Sequence, residues 1–166
     1  MAATVEDRLQ ALEARLRVAE DTLEILNLLN SYGPLVDSGS AAEAAALWAP
    51  GGGYNFSGGI SGGTRLEAPA ELVAMYQSEG HMGLVNTGVS HFTGTPKVVV
   101  KGDEASAVGY SFVVLKEGDR WFLWRGAVNE WALVRTADGW RIRERFNRTL
   151  DGGADSHAVM RRVLAQ

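Results

Sequence analysis

The sequence predicts an α+β fold: N-terminal helices packed on a curved, antiparallel or mixed sheet that closes around an interior as a cone-shaped barrel. Three observations predict it. A helical heptad pattern fills the first thirty residues, period-two alternation fills Ser90 to Thr149, and the two do not interleave. Helices followed by a meander of strands indicate segregated layers rather than repeated βαβ units.

The first helix is predicted over Thr4 to Ser31. Thr4 and Asp7 make a cap and an acidic first turn. Leu9, Leu12, Leu16, Ala19, Leu23 and Leu26 recur at steps of three and four, a narrow seam suited to another helix. From Leu23 onward Ile25, Leu28 and Leu29 widen the apolar face, as a domain core requires. The first half is therefore expected to pack on a partner subunit or across its own domain, and the second half to enter the core. Gly33-Pro34 is expected to end the helix, because proline lacks an N–H and disfavours helix in the residue before it.

Ser40 and Glu43 read as a capping box for a second helix, Ala41 to Trp48, stopped by Pro50 and Gly51 to Gly53. Tyr54 to Phe56 is a short strand candidate and Ser57 to Gly63 a glycine-rich loop. A third helix, Ala70 to Gln77, starts just after Pro69, and Ser78 to Thr87 reads as loop. Four strands follow: Ser90 to Lys101, Glu104 to Lys116, Arg120 to Arg135 and Trp140 to Thr149. The turns between them are Lys101-Gly-Asp103, Glu117-Gly-Asp119 and Ala137-Asp-Gly139. His157 to Leu164 is a final helix candidate. Residues 1–18 are read as a helical extension, 19–150 as the cone domain and 151–166 as a tail.

The chain has 166 residues, enough for one domain with a hydrophobic core, and a net charge of −4. That balance speaks against nucleic acid as a partner, since such binding draws on Lys and Arg neutralising phosphates. No apolar run is long enough for a membrane span and the N-terminus lacks a signal-peptide core, so the expected location is cytoplasmic. There is no cysteine, hence no disulfide framework and no thiolate nucleophile. Three dispersed histidines support no metal site. Gly59 to Gly63 matches GxSxG, but lacks the strand, helix and parallel sheet of a nucleophile elbow.

A phenol, a carboxylate and an imidazole remain as candidate acid–base groups: Tyr32, Asp37 and His91. Each has a plain structural alternative. Tyr32 follows the apolar face of the helix, Asp37 fits a turn, and His91 fits a satisfied core position. His81 reads best as a solvated loop residue. Aromatic and apolar side chains suited to lining an interior are Tyr54, Phe56, Trp124, Trp131, Phe112 and Met75.

Several stretches together resemble the nuclear transport factor 2-like superfamily and its SnoaL-like group. They are Ile25-Leu-Asn-Leu-Leu-Asn-Ser-Tyr32 with Asp37, Ala45-Ala-Leu-Trp-Ala-Pro50, His91-Phe92, Val100-Lys-Gly-Asp103 with Ala105 and Ala107, and Arg135-Thr-Ala-Asp-Gly-Trp-Arg-Ile142. Within that group the chain resembles scytalone dehydratase and bile acid 7α-dehydratase. The resemblance implies a catalytic set of Tyr32, Asp37 and His91, joined by Arg145 (with Arg143 and Arg148 as rivals) and Asn129. It also implies a dehydratase or isomerase without cofactor, acting on an apolar cyclic alcohol or ketone such as a steroid, terpenoid or polyketide. A homodimer or homotrimer is the expected assembly. The alternative is a non-catalytic ligand-binding or assembly subunit, including one like the small subunit of a ring-hydroxylating dioxygenase.

Overall fold

The computed structural model describes residues 3–57 and 63–164. The elements are α1 (Val5–Asp37), α2 (Ala41–Ala45), β1 (Trp48–Ser57), β2 (Gly63–Glu67), α3 (Ala70–Tyr76), α4 (Glu79–Thr87), β3 (Val89–Thr93), β4 (Lys97–Lys101), β5 (Glu104–Glu117), β6 (Arg120–Thr136), β7 (Gly139–Thr149) and α5 (Ala154–Arg161), with a 3₁₀ turn at Arg162–Leu164. The strands form one sheet in the order β2-β1-β7-β6-β5-β3, with β4 also paired to β5. All pairings are antiparallel except β1 with β7, so the sheet is mixed. It curves around the helices but does not close, so the expected barrel is an open cone.

The long strands β5, β6 and β7 fall where the alternation placed them. Their turns carry Gly102 and Gly118 at φ of 64° and 59°, a left-handed geometry that glycine adopts without strain. The expected strand from Ser90 to Lys101 is two strands, because Gly94-Thr95-Pro96 interrupts the ladder. Both halves pair with β5, one after the other along its length. The match to GxSxG at Gly59 to Gly63 lies, up to Gly63, outside the described residues.

Four helix and strand boundaries differ from expectation. Helix α1 runs through Gly33-Pro34 to Asp37. Pro34 and Asn30 both sit on the exposed face, so the Asn30 carbonyl that loses its partner is open to water. Glycine at position 33 also removes the Cβ that proline would crowd. Helix α2 stops at Ala45, its Ser40 cap makes no side-chain hydrogen bond, and Trp48 opens β1 instead. Pro50 is tolerated in β1 because the ladder to β7 shifts register between Trp48 and Gly53. Ser78 to Thr87 is helix α4 rather than loop, capped by the Ser78 hydroxyl, which accepts from the His81 N–H.

The core lies between the concave face of the sheet and the helices. Ile25, Leu29, Tyr32 and Val36 of α1 meet Leu72 and Tyr76 of α3, and Ala107, Trp131, Leu133, Trp140 and Ile142 of the sheet. Helix α5 covers part of the other face through Val159, against Val108 and Val128. The first half of α1 buries none of its side chains: residues 3–20 are all exposed.

Two contacts anchor α1. At its middle, the buried Asp21 carboxylate accepts from Trp140 Nε1 at 3.2 Å and pairs with Arg135 at 2.6 Å. The Arg135 hydrogen bond holds the Asp21 carboxyl below the usual carboxylate value, outweighing burial. Near its end, Gly33 meets the His91 carbonyl so closely that a Cβ there has no room.

Asp21→Ala should cost about 1–3 kcal/mol in chemical unfolding, because Trp140 Nε1 is left buried without an acceptor. In the wild type the Asp21 contribution is fully present above the unfolded carboxylate pKa near 4. It is lost as pH falls through the lower folded value, so the stability gap between the two proteins should narrow on acidification. Gly33→Ala should cost about 1–3 kcal/mol by overpacking, read as a lowered melting temperature.

Candidate active site

A cavity of roughly 150 Å³ opens between α1, α3, α4 and the concave face of the sheet. Tyr32, Tyr54, Phe56, Met75, Tyr76, His81, His91, Trp124, Arg145 and Asn147 are among its walls. One turn of α1 organises its polar end. Asp37 accepts from the His91 backbone N–H at 2.8 Å through Oδ2, and Oδ1 lies 2.5 Å from His91 Nδ1. Both carboxylate oxygens therefore hold one residue. A carboxylate can only accept here, so Nδ1 carries the proton, and in the neutral imidazole Nε2 keeps the lone pair.

Val36, one residue before Asp37, offers its carbonyl to His81 Nε2 at 3.2 Å. Carbonyls in the last turn of a helix lack the usual i+4 partner; this one accepts from the Gly39 N–H at 3.3 Å and has room for the imidazole of α4 as well. The acceptor requires the proton on Nε2, which leaves Nδ1 as the free nitrogen. The two imidazole centroids are 5.7 Å apart. Tyr32 stands edge-on to His91 at 6.3 Å, to Trp48 at 5.9 Å and to Tyr76 at 6.3 Å. Burial, reinforced by Tyr54, pushes the Tyr32 phenol up to about 12 despite the opposing pull of Arg145. Burial also raises Tyr76 well above the ordinary phenol value. The Tyr76 hydroxyl is buried and has no hydrogen-bond partner among the described residues.

Arg145 of β7 is 3 % exposed. Its Nε and Nη2 both donate to Asn129 Oδ1, at 3.0 and 2.9 Å. The guanidinium lies 4.6 Å from the Tyr32 ring, 4.7 Å from Tyr54 and 5.5 Å from Trp131. Among the described residues no carboxylate is within ion-pair distance of it. Burial works against its charge, but the phenols of Tyr54, Tyr32 and Tyr76 more than offset this and raise its pKa. It is a fixed cation.

Asn129 is completely buried and lies behind the cavity wall. Its Oδ1 also accepts from Asn147 Nδ2, and its Nδ2 donates to Ser111 Oγ. Asn147 Oδ1 in turn accepts from Arg125 Nη2 at 2.8 Å. Asn129 thus orients Arg145 rather than facing a ligand. Trp131 is likewise buried behind Arg145 and does not line the cavity. Phe112 belongs to the wall, with its ring beside Gly126. Arg143 pairs with Glu104 on the exposed side and Arg148 donates to the Asn55 carbonyl, so neither takes the place of Arg145.

Sequence reasoning missed His81, Tyr76, Asn147 and Arg125 as cavity residues. The signal for His81 was Ser78, whose cap makes the following residues helical; the glycines at 80 and 83 concealed it. Among the described residues no group of three or more His, Asp or Glu could hold a metal ion.

A family model described as SnoaL-like domain matches residues 17–146. The chain belongs to the SnoaL-like domain family. An NTF2-like protein with a cystatin-like fold from Novosphingobium aromaticivorans is 34% identical, with a TM-score of 0.85, over 96% of this chain and 99% of that one. A function-unknown protein from Mycobacterium tuberculosis is 20% identical, with a TM-score of 0.68, over 99% and 94%. Aln2 from a Streptomyces species is 18% identical, with a TM-score of 0.67, over 78% and 90%. No curated protein matches the chain. Among the described residues of this SnoaL-like protein, no helix is long and apolar enough to cross a membrane.

Proposed function

We propose that this SnoaL-like protein is a cofactor-independent acid–base enzyme, a dehydratase or isomerase of cyclic alcohols or ketones. The observation that carries the reading is the Asp37–His91 pair, in which one carboxylate oxygen holds the imidazole at a cavity wall and the other holds the backbone N–H of the same residue. A structural histidine needs one partner; this one has its backbone and its ring held together, with Nε2 directed away from the clamp.

His91 Nε2 removes a proton from the carbon next to a carbonyl. Asp37 keeps the tautomer and stabilises the imidazolium that forms. The electron pair moves to the carbonyl oxygen. Tyr32, a phenol throughout the neutral range, donates to that oxygen, and the Arg145 charge lies beside it. In a dehydration the pair returns, the β C–O bond breaks, and the proton held on His91 passes to the leaving hydroxyl as water departs. In an isomerisation the same proton is delivered to another carbon. Either way the enzyme ends as it began and no cofactor enters. His81 Nδ1 is placed to hold the hydroxyl by accepting its hydrogen bond.

Size narrows the substrate. A cavity near 150 Å³ is of the order that takes a single benzene-sized ring. A one- or two-ring substrate with an edge in the mouth by Trp124 fits better than a buried four-ring steroid.

The test is a panel of one- and two-ring β-hydroxy ketones, with water loss read from the absorbance of the conjugated product. His91→Ala should lower turnover by about a hundred- to ten-thousand-fold, and Asp37→Asn should lower kcat more than it raises KM. Undiminished turnover in His91→Ala sinks the assignment. Panel members that raise the melting temperature yet are never converted favour a ligand-binding protein instead.

A further inference from the structure

The first half of α1 leads away from the domain and carries an apolar stripe that none of the described residues covers. Val5, Leu9, Leu12 and Leu16 are 50–72% exposed, and Leu23 is 61% exposed. With Leu9 at heptad position a, Leu16 and Leu23 also fall at a, and Val5, Leu12 and Ala19 at d. At 100° per residue this seam lies about 160° around the helix from Asp21, Ile25, Leu29 and Val36, the residues that hold α1 to its domain. A helix seated on the seam meets no obstruction from the sheet.

The flanking charges say what that helix is. The e positions are Glu6, Glu13 and Glu20; the g positions are Arg8 and Arg15. In a parallel pair, g of one helix meets e of the next heptad on the other. Arg8 then faces Glu13 of the partner subunit, and Arg15 faces Glu20 of the partner subunit, twice each by symmetry. In an antiparallel pair, g meets g and e meets e, so Arg would face Arg and Glu would face Glu. We propose that a second copy of this chain docks on the seam from Val5 to Leu23 as a parallel, in-register two-helix coil.

So short a coil is marginal for isolated peptides, because the helix must form at the same time. Here it is already formed: the Thr4–Asp7 capping box closes its start, and Ile25 and Leu29 anchor its other half in the core. Association then buries apolar side chains without the cost of nucleation. The apolar run ends at the exposed Asn30, the next a position, so the coil is confined to the part of α1 that projects from the domain.

The full chain has no cysteine, which makes cross-linking a clean probe. Val5→Cys, Ala19→Cys and, as a control on the outer face, Ala14→Cys are each oxidised mildly. In a parallel pair the first two each cross-link to their own copies, since equivalent seam residues bring their Cβ atoms within disulfide reach, and Ala14→Cys does not. Cross-linking of Val5→Cys only in a mixture with Leu16→Cys or Leu23→Cys, the a positions an antiparallel pair sets opposite it, overturns the proposal. So does cross-linking no better than the control. In sedimentation, Arg8→Glu with Arg15→Glu should weaken self-association about tenfold or more, and adding Glu13→Arg and Glu20→Arg should restore it. Association indifferent to both changes, or a mass of three chains joined at the seam, overturns it as well. All these positions are exposed and remote from the cavity, so the melting curve should keep its cooperativity.

Discussion

The close approach between α1 and β3 governs the rest of the structure. Gly33 lacks a side chain, so the helix backbone rests against the His91 carbonyl. A larger residue would lift α1 off the strand and break both hydrogen bonds between Asp37 and His91, which lie one turn further along. From Tyr32 to Asp37 almost every residue has a task set by this approach. Tyr32 presents its ring edge to His91, Val36 turns its carbonyl to His81, and Asp37 grips His91. One helical turn thereby orients two imidazoles that come from different elements. Its geometry is inherited by the cavity above it.

The opposite side of the cavity has a different logic. Burying a guanidinium without a carboxylate is costly in apolar surroundings. The fold offsets that cost around Arg145 with three aromatic faces and the single oxygen of Asn129. Asn129 Oδ1 accepts three donors, so its own side chain is fixed as firmly as those it holds. A carboxylate in its place would neutralise Arg145. An amide orients the cation and leaves its field in the cavity. The same field acts on the Tyr32 phenol, opposing part of the rise that burial causes, and keeps it a hydrogen-bond donor.

Much of the fold was legible because its signals are local. Alternation in β5, β6 and β7 and glycine turns between them are set by residues within a strand length of each other. Where sequence reasoning failed, a distant contact outweighed a local rule. Proline ordinarily ends a helix, but Pro34 continues one because Gly33 packs on β3 and the orphaned Asn30 carbonyl faces outward. Pro50 and its glycines resemble a stop, but β7 supplies a parallel neighbour that turns them into an irregular strand. Glycines at 80 and 83 weaken a helix by about a kcal/mol each, but the Ser78 cap and the ring contact of His81 with Tyr76 hold α4 in place.

The candidate site shows the same division. Residue type pointed to Tyr32, Asp37 and His91; the folded chain brings Tyr32 and His91 to the cavity wall, while Asp37 holds His91 without lining the cavity itself. Residue type did not separate Arg145, which lines that cavity, from Asn129, which lies behind it. The two sit on neighbouring strands with side chains on one face, and their difference is one of length. A guanidinium on three methylenes reaches past Asn129 into the space, whereas the Asn129 amide stays beneath the Arg145 and Asn147 side chains that donate to it. His81 was hidden for another reason: what fixes it is a backbone carbonyl. Any residue at position 36 supplies that oxygen, so no side-chain pattern records it. The helix end, where carbonyls lack the i+4 partner, leaves that oxygen room for a second donor beside the Gly39 N–H.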